Sequence, residues 1–137
     1  AKIIEATTTV TPKDANDKWY YKFTSVSNAS SDLMAGYYTD YTAVDDDTAP
    51  TAVDAADKVE FIYIKNTDAA NDIYIVFDGG TVANTTDDAV KISPNQSFYG
   101  RFPNATVSGV HAIGYDPTAA AAATATCIVC ALLDDVA

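Results

Sequence analysis

Only six residues of this chain are Leu, Met or Glu, whereas 38 are Val, Ile or Thr. Leu, Met and Glu build helices; β-branched side chains are stiff at χ1 and pack best on a pleated surface. A chain of 137 residues with that imbalance lacks the apolar stripes of a helical bundle. The acids repeat the point, with 17 Asp against 2 Glu. Short Asp carboxylates bond nearby backbone amides in turns, whereas helical surfaces favour Glu. The fold expected is therefore all-β.

The length suits one compact domain, 1–137, whose core needs neither a disulfide nor a metal. Residues 1–27 read as strands or an arm, with candidates at Lys2–Val10 and Lys18–Val26 on either side of the turn cluster 11–17. Residues 28–57 read as a long polar loop containing Asp45-Asp46-Asp47. Residues 58–134 carry the core strands, at 58–65, 72–78, 89–93, 96–102, 107–115 and 124–133. Turn signals every 8–12 residues between these runs predict an antiparallel β-sandwich, jelly-roll-like in form. The run Ala119–Ala123 is too short to nucleate a helix and reads as a loop tip or a single turn.

Two strands are apolar on both faces. Val59, Phe61 and Tyr63 alternate with Ile62 and Ile64, and Ile73, Ile75 and Phe77 alternate with Tyr74 and Val76. A sheet with one face in water should alternate apolar with polar residues. The outer face is thus expected to be covered, by the 28–57 segment or by another subunit.

The net charge is −11, and the cations are seven Lys and Arg101. Nucleic-acid binding needs clustered cations, and an acidic domain is repelled by DNA, RNA or an anionic membrane. No apolar run approaches the roughly 20 residues that span a bilayer. The opening residues 1–5 lack the apolar segment of a signal peptide, and removal of an initiator Met is the expected origin of a chain beginning at Ala.

Cys127 and Cys130 are the only cysteines and His111 the only histidine, so a four-ligand zinc site cannot be assembled. In a strand, positions i and i+3 face opposite ways about 10 Å apart, too far for a disulfide. Both cysteines read as small, reduced core residues, which favours assembly in a reducing compartment. His111 lies within a strand-like run, and neither a nucleophile elbow nor a phosphate-cradling loop is present. No acid is embedded among apolar residues, so no carboxylate pair is marked for acid–base work. No catalytic residue, cofactor or metal ligand is assigned, and a hydrolase built on His111 is the weakest functional reading. Calcium is the one ion the acids invite, through Asp45–Asp47 with Asp54 and Asp57, or Asn71-Asp72 with Asp78, but the spacing of a calcium loop is missing. The candidate interaction surface is aromatic: Tyr37, Tyr38 and Tyr41 with Trp19 and Tyr20. Set against it is a packing reading, with Trp19 and Phe23 in the core and the tyrosines half-buried at sheet edges.

The second half of the chain carries an ordered pattern. Val59–Lys65 leads into Asn66-Thr67, and Asp72–Phe77 into Asp78-Gly79-Gly80. Ile92-Ser93-Pro94-Asn95-Gln96-Ser97 and the strand pair 107–115 and 126–133 complete it. This order resembles the small all-β virion proteins of tailed bacteriophages and related marine viruses, which include capsid decoration and cement proteins. Asn95 stands where that pattern usually has Gly, and Asn tolerates the same left-handed backbone. The resemblance implies a virion structural protein, made in the host cytoplasm and placed on the capsid surface, where it braces major capsid subunits or another virion protein. It also implies a homo-oligomer, with a trimer as one form, and segment 1–10 as a reach toward a neighbour. A tail or head-fibre component, and a carbohydrate-binding or adhesin-like sandwich using Tyr37–Tyr41, are the alternatives.

Overall fold

The computed structural model describes residues 3–13, 16–34, 53–136 and the backbone of 39–40. Among the described residues, ten strands form two antiparallel sheets packed against each other, an all-β sandwich. The larger sheet has the order β3 (Thr39–Asp40), β1 (Lys18–Val26), β10 (Ala125–Asp134), β4 (Lys58–Asn66), β7 (Ser97–Thr106). The smaller runs β2 (Ser31–Asp32), β8 (His111–Asp116), β5 (Asp72–Val76), β6 (Val90–Ile92), and β9 (Ala121–Ala122) pairs with β8. No helix among the described residues is long and apolar enough to cross a membrane.

Period-2 alternation builds the core. Val59, Ile62 and Ile64 of β4 and Cys127, Val129 and Ala131 of β10 point inward, meeting Ile73, Ile75 and Ala112 of the smaller sheet. At the β7 side the core is aromatic. Phe77 stacks on Phe102 with ring centroids 3.8 Å apart and planes within 4°, and Phe98 lies 6.0 Å from Phe77. Gly100 sits between Phe98 and Phe102, where a Cβ would lie 2.8 Å from the Phe102 ring.

Asn66, fully buried at the end of β4, joins the sheets. Its amide nitrogen donates to the carbonyls of Asn71 (2.8 Å) and Ile92 (2.9 Å), and its Oδ1 accepts from the Asp68 amide. Asp68 receives the amides of Ala70 and Asn71, which hold its carboxyl below the usual carboxylate range. The following turn closes on the backbone of Asn66, whose amide donates to the Gln96 carbonyl and whose carbonyl accepts from the Asn95 amide. Asn95 has φ +62°, the left-handed conformation expected for the residue in the usual glycine position.

Five features differ from the sequence expectations. Strict alternation puts Val59 with Phe61 and Tyr63, but a bulge between Val59 and Ile62 turns Val59 into the core beside Ile62 and Ile64. Segment 3–12 joins neither sheet, so the strand expected at Lys2–Val10 is an arm. The run 107–115 opens with a 3-10 turn, Val107–Gly109, before β8. Ala121–Ala122 is a strand, not a loop tip. It is drawn onto β8 opposite Tyr115 and Asp116, and the next residue bonds to Gly114, where a Cβ would collide with the Ala123 carbonyl. Finally, β1 is turned the other way from the packing reading. Tyr20 and Val26 enter the core with Lys18, while Tyr21 and Phe23 face out.

The buried ion pair beside Tyr20 accompanies that orientation. Lys18 Nζ lies 2.9 Å from Asp57 Oδ2 and 3.5 Å from Asp135 Oδ2, with Lys18 and Asp57 shut off from solvent. Burial by itself would lower the lysine pKa, but the hydrogen bond to Asp57 and the charges of Asp57 and Asp135 outweigh it and move it upward. Asp57 Oδ2 also accepts the Asp54 amide, and its carbonyl accepts the Val107 amide. Removing one member of such a pair strands a buried charge. Lys18→Met should therefore lower unfolding free energy by about 3–5 kcal/mol in urea titrations, and adding Asp57→Leu should recover much of that loss.

Candidate functional site

Cross-strand partners in an antiparallel sheet share a face, so the register names the residues on the outer side of the larger sheet. One row is Trp19, Leu132 and Phe61; the next is Tyr21, Cys130, Tyr63 and Tyr99; the third is Phe23, Ile128, Lys65 and Ser97. Nine of these eleven side chains are aromatic, aliphatic or thiol. Leu132 is buried, but Phe23 is 61% exposed, Tyr21 57% and Tyr99 46%. Phe61 and Tyr99 pack with ring centroids 6.2 Å apart, and Tyr63 shares a hydrogen bond with Ser97 (3.0 Å).

Charge is sorted as well. The rows contain Lys65 and no carboxylate, and Arg101 follows Tyr99 on the same side of β7. At the margin, Lys13 pairs with Glu60 and Asp134, whose hydrogen bonds raise its pKa. In a chain of net charge −11 this is an apolar surface that carries Lys65 and Arg101, with paired charges at its margin.

Segment 3–13 crosses part of that surface. Arg101 Nη2 donates to the Thr9 carbonyl at 2.9 Å. An open crevice of about 690 Å³ separates residues 4–8 from Phe61, Tyr63, Ser97 and Tyr99. The cover is loose: Ile3 is 80% exposed and Ile4 97%. On the smaller sheet the outer side is closed differently. The loop after β5 folds back through Gly79 N to Gly109 O (2.9 Å), Val82 N to Ser30 Oγ (3.0 Å) and a Gly80 carbonyl contact with His111. Val76 and Val82 are buried outside the main core cluster. The two-sided apolar character of β5 is thus satisfied within the chain, and that of β4 only in part.

Of the residues singled out from sequence, Tyr37, Tyr38 and Tyr41 lie outside the described residues. Trp19 is half-buried on the outer face, whereas Tyr20 is a core residue and offers no contact surface. Tyr21, Phe23 and Tyr99, not chosen from sequence, are the exposed aromatics. Alternation put Tyr21 and Phe23 on Trp19's side; only the long-range Lys18–Asp57 pair tells which side is core.

The chemistry-bearing groups are engaged structurally. His111 Nδ1 is 2.7 Å from the Gly80 carbonyl and Nε2 is 3.0 Å from Asp32 Oδ1, which ties the loop and β2 to β8. Asn71-Asp72 and Asp78 stand at opposite ends of β5; Asp72 pairs with Lys91 (3.0 Å), and Asp78 caps the Gly80 amide (2.8 Å). Among the described residues, no group of three or more His, Cys, Asp or Glu is arranged to hold a metal ion. Compared with known proteins, the chain matches no family model, no curated sequence and no solved structure.

Cys127 faces the core, as expected, but Cys130 is half-buried between Tyr21 and Tyr63 on the outer face. Desolvation pushes the Cys127 thiol up to about 12 and raises that of Cys130 as well. In native protein near pH 8, peptide mapping after limited alkylation should find Cys130 modified well before Cys127. Cys127 should react only as the protein unfolds. Equal labelling of the two would contradict the assigned faces.

Proposed function

We propose that this chain is a non-catalytic structural protein of a virus particle, a capsid decoration or cement protein that grips neighbouring major capsid subunits through the outer face of its larger sheet. The observation that carries this reading is the exposure of Tyr21 and Phe23 on a regular four-stranded face that also presents Ile128 and Cys130. A contiguous apolar surface on an otherwise acidic chain marks a place where another macromolecule sits. Apolar area buried there contributes about 25 cal/mol per Å², repeated at every copy on a shell. Acidic loops kept in water suit a protein displayed at high local concentration. The resemblance of Lys58–Asp134 to small virion β-sandwiches, jelly-roll-like in plan, supports a virion role, within which a tail or head-fibre position is the alternative.

A carbohydrate-binding or adhesin-like module is the second reading. It is favoured by the flat aromatic row of Trp19, Tyr21 and Phe23, a shape on which sugar rings stack.

The Tyr21→Asp/Phe23→Asp double variant separates these readings. Both sites are exposed, so stability should change by no more than about 1 kcal/mol. Cosedimentation with capsid shells of the encoding virus should weaken at least about tenfold, and the shells should lose their added heat resistance. Undiminished binding by the variant would refute the assignment of this face. Retention of the native protein on immobilised glycans, with no shell binding, would establish the module reading instead.

A further inference from the structure

Segment 3–10, Ile-Ile-Glu-Ala-Thr-Thr-Thr-Val, has the composition of a strand yet enters no ladder. Six of its eight residues are β-branched, and its alternate positions Ile4, Ala6, Thr8 and Val10 make one side more apolar than the other. Strands need a partner edge, and β7 presents one. Among the described residues β7 ends the larger sheet, and its run Ser97–Phe102 precedes Pro103, which has no amide hydrogen to donate.

Beside that edge lies an open gap of about 470 Å³ lined by Phe77, Phe102 and Pro103 with Asp78 and Arg101. It lies at the Phe102 end of that edge, and Asn104 and Ala105 complete its lining. Charge matches too. Residues 1–12 carry only Lys2 and Glu5, so this segment is electrically neutral in a chain of −11, and Glu5 is opposite in sign to Arg101. Such a segment can approach a second acidic copy without net repulsion.

We propose that segment 3–10 of one copy adds as a strand to the Ser97–Phe102 edge of a second copy, with Ile4 and its alternate neighbours in the gap beside Phe77 and Phe102. The recognition is strand addition, in which backbone hydrogen bonds give affinity and alternate side chains give register. Within one copy the segment leaves the turn anchored by Lys13, whose amide bonds Asp17 and whose ammonium bonds Glu60 and Asp134. From that root it passes over the face of β4 and β7, touches Arg101 at Thr9, and leaves Ile3 and Ile4 in water. Exchange between copies gives Ile4 an apolar seat, and swapping an identical element between protomers is a low-cost route to association. The Tyr21–Phe23 side of the outer face stays free for the partner proposed above, and the exchange does not depend on what that partner is.

The test uses the full chain in a Cys130→Ser background. One preparation carries Thr7→Cys, another Ser97→Cys, and the two are mixed under mild oxidation. A disulfide-linked heterodimer is expected on a non-reducing gel. Light scattering should give a multiple of the 14.5 kDa chain mass for the native protein. Removal of residues 1–10 should reduce it to a single chain with an unchanged circular dichroism spectrum. Ile4→Asp, at a site 97% exposed in the single copy and so harmless to its folding, should shift the association in the same direction. The proposal is overturned if the mixture yields no crosslink while a Thr7→Cys/Ser97→Cys chain closes on itself. It is equally overturned if removing 1–10 leaves the mass per particle at the same multiple. Neither readout uses a capsid, so this result and the shell-binding result are independent.

Discussion

Asn66 is where the two sheets of this sandwich are fastened. A buried amide satisfies both of its own ends only if its partners arrive from fixed directions. Here they come from the Asn71 carbonyl just ahead of β5 and the Ile92 carbonyl in β6, while the backbone of the same residue closes the 93–96 turn. One residue thus ties β4 to the smaller sheet through its side chain and fixes the point at which β7 starts through its backbone. The aromatic corner formed by Phe77, Phe98 and Phe102 depends on that starting point, because a one-residue slip of β7 would carry Phe98 and Phe102 to the outer face.

The larger sheet has a second organising constraint in the Lys18–Asp57 pair. Placing a lysine at a core position of β1 is costly unless a carboxylate meets it, and Asp57 does so from the residue before β4. The arrangement commits β1 to one orientation and consigns Trp19, Tyr21 and Phe23 to the outer face. The same sheet therefore has an apolar inner face sealed by the smaller sheet and an apolar outer face that segment 3–13 covers only loosely. Acidic groups occupy loops and margins, so the molecule is chemically two-sided.

Much of this was legible locally. The strand-forming runs 58–65 and 124–133 and the turn chemistry of Pro94-Asn95 depend on neighbours in sequence, and the structure agrees with them apart from the face that a bulge gives Val59. The misread features are those decided by distant partners. Strand-like residues 3–10 stay outside both ladders of the single copy, because propensity alone does not seat a segment against an edge. Ala121–Ala122, with little propensity of its own, becomes one because β8 offers an edge and Gly114 leaves space. Tyr20 and Phe23 look interchangeable in sequence, and only the pairing of Lys18 with Asp57, 39 residues further on, assigns one to the core. The apolar outer face itself was visible in Phe61 and Tyr63, but its extent across β1 and β10 required the register.

The position of β10 has a kinetic consequence. It is hydrogen-bonded along nearly its whole length between β1 and β4, so the larger sheet is two disconnected pieces until β10 inserts. Its pairings with β1 span on the order of a hundred residues, a closure whose entropy must be met before the contacts reward it. β4 and β7 can meet early, as can β5 and β8, while β1 waits with its aromatic row unprotected. Completion of the larger sheet requires one central strand, and a half-built sheet with open edges is the kind of species in which chains pair wrongly.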